Sequence, residues 1–132
     1  MNTIQKTTKM DMKVKLSTLW IFVMINMIMA DIVGFMNPGA LESIIKGDVD
    51  VQITQELLLI FSVLLEIPIL MIVLSRVLNY KANRWTNIIA SVITILFVVW
   101  GGTTSLSYIF FASIEVVTML LITWYAWKWA KP

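Results

Sequence analysis

The sequence predicts an all-α integral membrane protein, a four-helix antiparallel bundle, and three observations carry that prediction. The 132-residue chain is 59% hydrophobic and only 14% charged, a composition that excludes a soluble globule and fits a chain mostly immersed in lipid. Four apolar segments each approach the roughly 17–25 residues that a spanning helix needs. The basic residues are sorted to one side of those segments. The chain is read as one domain over 1–132.

The first segment covers about 16–36 (LSTLWIFVMINMIMADIVGFM) and follows a polar tail with Lys6, Lys9, Lys13 and Lys15. Its apolar run is too long for a cleavable signal peptide, and no small-residue cleavage site follows. The next loop contains a short helix that Asn37-Pro38 can start and Gly47 can end, with Leu41, Ile44 and Ile45 on its apolar face. It is expected to lie at the interface and cap the outer mouth of the bundle.

The second span covers about 56–79 and the third about 85–101, joined by a turn of about five residues around Tyr80–Arg84. The fourth covers about 105–127, after a turn at Gly101-Gly102-Thr103-Thr104. Connections this short force antiparallel neighbours. Trp85, Trp124, Tyr125, Trp127 and Trp129 gather near one boundary, as an aromatic belt does.

Nine of the ten basic residues fall on one side of the spans, and Lys46 stands alone on the other with Glu42, Asp48, Asp50 and Glu56. The positive-inside rule then puts both termini in the cytoplasm of a cell enclosed by its plasma membrane. The net charge of +2 is not that of a nucleic-acid binder, because the bases sit at membrane edges. With no cysteine and no histidine, thiol chemistry and the usual haem and zinc ligands are excluded, and no cofactor or metal is expected.

Three acids lie inside the spans without a base beside them: Asp31, Glu66 and Glu115. A charge at the bilayer centre costs roughly 2.5–3.5 kcal/mol on insertion scales, so an intramembrane carboxyl is a functional hypothesis by default. At about 1.5 Å per residue, Glu66 and Glu115 both fall roughly 13 Å below the outer boundary, with Asp31 a turn nearer the outside. Ser91 and Thr94 of the third span reach that layer, as do Asn26, Ser62 and Thr118, and Trp100 and Tyr108 would line its mouth. Asn87 is nearer the basic side and is given no role in the layer. Pro68 is expected to kink or open the backbone near Glu66. Met24, Met27 and Asp31 share a face at helical spacing and could line a soft apolar pocket.

The structural alternative is that serine, threonine and asparagine in membrane helices tie helices together. Two carboxyls at one depth with no base repel each other when both are charged, so they would share protons as a coupled unit. That physics suits a pocket for an amphipathic or cationic small molecule, and equally exchange of protons or cations. It also suits a lipid- or sterol-modifying enzyme that uses the carboxyls as acid and base. A third use is an accessory subunit whose polar layer packs on a partner, or on further copies in an oligomer. The non-enzymatic reading leads, because the acid layer lacks a nucleophile.

The pattern STLWIFVMINMIMADIVGFMNPG, then ELLLIFSVLLEIPILMIVLSRVL, then NRWTNIIASVITI resembles small uncharacterised four-helix bacterial membrane proteins related to the DoxX-like group. That resemblance implies the four-helix fold and no established activity. The chain also resembles, more weakly, the EXPERA-type fold of sterol isomerases and the sigma-2 receptor. There an acid near the end of helix one precedes a proline, as Asp31 precedes Pro38, and an acidic or polar residue precedes one in helix two, as in Leu65-Glu66-Ile67-Pro68. This second likeness implies ligand binding between acids, while the histidine of the isomerases is missing. The small multidrug transporters fit poorly, since their glutamate lies in the first helix and their insertion is not held to one direction.

Overall fold

The computed structural model describes residues 11–47, 54–100 and 105–130. Its elements are α1 (Met12–Phe35), α2 (Ala40–Lys46), α3 (Gln55–Val77), α4 (Tyr80–Trp100) and α5 (Leu106–Lys128), and the described residues contain no strand. Four of these helices, all but α2, are long and apolar enough to cross a membrane. The Gly101–Thr104 turn, Asp48 and Asp50 lie outside the described residues.

The helix starts explain where the boundaries fall. Thr54 caps α3 by accepting the Leu57 amide at 3.1 Å, and Ser105 caps α5 by accepting the Tyr108 amide at 3.3 Å. Asn79 accepts the Ala82 amide at 3.0 Å, so α4 begins at Tyr80 and residues 80–84 form its first turn. The five-residue turn expected there is therefore a tighter link through Leu78 and Asn79, because an asparagine cap lets a helix start without an apolar run. Similarly, α1 begins at Met12 rather than near residue 16, carrying Lys13 and Lys15 on its first turn. Gly47 ends α2 in the left-handed conformation (φ 73°), donating its amide to the Ile44 carbonyl at 3.2 Å. No residue of α2 is buried, and it packs against α1. Leu41, Ile44 and Ile45 are exposed, as an interfacial helix leaves them.

The long helices form a closed ring in which α1 packs on α3 and α5, and α4 packs on the same two. Each neighbour runs antiparallel. All the helix ends bearing Lys15, Arg76, Arg84 and Lys128 therefore meet at one end of the bundle, the basic end. Residues at spacings of three and four bury one stripe of α1: Leu16, Trp20, Val23, Met27 and Ala30. Met71, Met119 and Ile122 pack against it. The inward stripe of α4 is polar instead, with Asn83, Asn87, Ser91 and Thr94 all buried. Leucine, isoleucine and valine cover the outside, the arrangement expected where lipid is the solvent and polar groups must find partners within the protein. Pro68 does not interrupt α3, which runs unbroken from Gln55 to Val77 with the proline ring turned into the bundle.

Candidate functional site

Polar side chains occupy the two halves of the bundle interior in different states. At the basic end they are hydrogen-bonded to one another. Asn87 Oδ1 accepts from Trp20 Nε1 at 2.8 Å and from Ser75 Oγ at 3.3 Å. Asn87 Nδ2 donates to Asn83 Oδ1 at 2.6 Å, and Asn83 Nδ2 donates to the Ser75 carbonyl at 2.7 Å. Ser17 Oγ donates to the Ile72 carbonyl at 2.8 Å and accepts from Arg76 Nε at 3.1 Å. Arg84 reaches across to the Ala126 and Trp127 carbonyls, both at 3.1 Å, closing the end of α5. A buried indole N–H needs a partner, and α4 supplies it with an asparagine. The network joins α1, α3 and α4, which makes Asn87 the centre of a structural staple. Its low hydropathy near a helix end disguised this role; the signal available in the sequence was the Asn83/Asn87 spacing of four opposite a tryptophan.

Toward the opposite end the interior opens into a cavity of about 220 Å³. All four long helices line it: Met27, Ala30 and Asp31 from α1, Phe61 and Leu65 from α3, Phe97 and Val98 from α4, Tyr108 and Glu115 from α5. Glu115 is only 2% exposed, and among the described residues nothing hydrogen-bonds to its carboxylate. Tyr108 sits seven residues earlier, two turns along the same face of α5. Its hydroxyl donates to the Val98 carbonyl at 2.6 Å, tying α5 to α4 at the rim. Asp31 lies on the inward side of α1 but only a turn from its end, so it is exposed at the mouth while Glu115 forms the floor. The two carboxyls line the same cavity, one from α1 and one from α5. Phe61 and Phe97 meet edge-to-face, with ring centroids 5.9 Å apart, and form an aromatic wall.

The structure thus brings together Asp31, Glu115 and Tyr108, and Met27 joins Asp31 on the wall as its spacing suggested. Ser91 and Thr94 are buried in the same bundle interior, and their hydroxyls have no hydrogen-bond partner among the described residues. They differ in this from Ser62, Thr118 and Ser113, each of which donates to the carbonyl four residues earlier on its own helix. Asn26 likewise bonds the Phe22 carbonyl and sits on the flank of α1. Ser62, Glu66 and Trp100 do not face the cavity. Glu66 and Ser62 point outward from α3, and Trp100, 76% exposed, lines a shallow outer groove with Leu64 and Leu96. Depth along a helix is legible in sequence, but the outward rotation of Glu66 follows from which face α3 gives to α1 and α4. Among the described residues no group of three or more His, Cys, Asp or Glu side chains is assembled to hold a metal.

No curated protein and no solved structure matches the chain. The family match does not bear on the DoxX-like or the EXPERA-type likeness. Residues 5–132 match DUF6326, a family of unknown function, and the chain belongs to that family.

Proposed function

We propose that the protein binds a compact lipophilic cation, a ring-bearing ammonium, in the cavity between its four long helices. The observation that carries this reading is the pairing of two carboxyls, Asp31 and Glu115, with the rings of Phe61, Phe97 and Tyr108 in one recess that no basic residue lines among the described residues. An apolar cavity of about 150 Å³ takes up benzene. The 220 Å³ here suits one ring and a short charged arm. Aromatic faces attract a desolvated cation, and a carboxylate at the floor gives it a partner. Exchange of a proton or an inorganic cation would draw on the same two acids. Acid–base catalysis on a lipid by the two carboxyls has less support, because the described cavity lining brings no serine, threonine or lysine nucleophile to them. The basic end would face the cytoplasm, which puts the cavity in the outer half of the membrane.

The test is thermal stabilisation of the detergent-purified protein by an arylalkylammonium and by the neutral alcohol of the same shape. The amine should raise the unfolding temperature and the alcohol should not. Glu115→Gln should weaken the amine response at least ~10-fold, the order expected for loss of a charge-assisted contact. Equal responses to both compounds, or an undiminished response in Glu115→Gln, would overturn the reading.

A further inference from the structure

Glu66 is the one intramembrane acid that the cavity does not use. It stands eleven residues from each end of α3 (Gln55–Val77), at the middle of the span. At about 100° per residue, the three buried residues of α3, Pro68, Met71 and Ser75, fall on the side away from Glu66. Its own side carries Leu59 and Val73, which are 65% and 57% exposed. A carboxyl therefore projects from the most outward line of a membrane span, at the depth where lipid offers it nothing. The nearest base along the helix, Arg76, lies ten residues away and is engaged with Ser17.

We propose that this face of α3 is a dimer interface with a second copy of the same chain. Copies inserted in one direction meet about a two-fold axis along the membrane normal, and such an axis sets each residue against its own copy at the same depth. Glu66 would then meet Glu66. Two carboxyls sharing protons can each donate to and accept from the other, so the pair satisfies itself without an opposite charge, which the spans do not own at this level. Ser62, one turn away, is small enough to let the two backbones approach. The neighbouring flank has room for the partner's side chains: α3 and α4 leave an outer groove of about 270 Å³, lined by Ile67, Leu70, Leu74, Ile89 and Ile93. The proposal is independent of what the central cavity binds.

The chain has no cysteine, so single cysteines report cleanly. Leu59→Cys and Val73→Cys flank Glu66 on its own side, while Ile28→Cys on α1 and Leu120→Cys on α5 are exposed controls. Oxidation in native membranes should give a disulfide-linked species of twice the chain mass at the first two positions and not at the controls. In the Leu59→Cys background, Glu66→Leu should slow that cross-linking about tenfold, as loss of two interhelical hydrogen bonds would, and Glu66→Gln should keep it. The lone fold does not need Glu66, so Glu66→Leu remains folded in lipid. Uniform cross-linking at all four positions, none at 59 and 73, no effect of Glu66→Leu, or an adduct whose mass shows a different protein would each overturn the proposal.

Discussion

Asn87→Ala is the most informative single change at the basic end. The alanine removes the acceptor of the Trp20 indole N–H and of the Ser75 hydroxyl, and the donor that serves Asn83 Oδ1. Ser75 can turn to its own helix carbonyl at Met71, so its loss is small. Trp20 is fully buried and has no such substitute. Stranding a buried donor costs about 1–3 kcal/mol, and interhelical hydrogen bonds in membranes average about 0.6 kcal/mol with a ceiling near 1.7. Together with the void left by the amide, the expected loss is about 2 kcal/mol. Reversible unfolding in mixed micelles titrated with dodecyl sulfate, followed by circular dichroism, measures it. Trp20→Phe completes a double-mutant cycle whose coupling should be about 1 kcal/mol. A loss below about 0.5 kcal/mol, or no coupling with Trp20, would refute the view that this network staples the bundle.

Two further outcomes follow from the geometry. Ser91→Ala and Thr94→Val remove hydroxyls that have no partner among the described residues, so each should leave stability unchanged or raise it by up to about 1 kcal/mol in the same titration; a fall of that size would show that these hydroxyls are tied after all. Lys46→Cys should react with a membrane-impermeant maleimide on intact cells, whereas Lys128→Cys should react only after permeabilisation, and the reverse pattern would invert the proposed orientation.

The contrast between the two halves of the interior gives the molecule its logic. A hydrogen-bonded network fixes the helices at the basic end, where Arg84 and Tyr80 also bind the carbonyls that close α5. The other half of the interior encloses the cavity. Glu115 stands on a packed helix and not on a loop, as the proposed site would require.

The sequence by itself determined the number of spans and the antiparallel pairing of those joined by short turns, because a bilayer demands apolar runs of sufficient length and a short turn must reverse the chain. It also determined the depth of each acid, since rise per residue is constant along a helix. Asp31 was therefore placed between Tyr108 at the mouth and Glu115 deeper in the bundle. Rotation about the axis of α3 was not legible, because apolar residues cover most of its circumference and its polar pair, Ser62 and Glu66, marks the outside and not the interior. Only the packing of α3 against α1 and α4 turned Pro68 inward and Glu66 outward, separating an acid that sequence reasoning had grouped with Glu115. Packing likewise placed Asn87 under the Trp20 indole, since a partner sixty-seven residues away is chosen by the fold and not by local spacing.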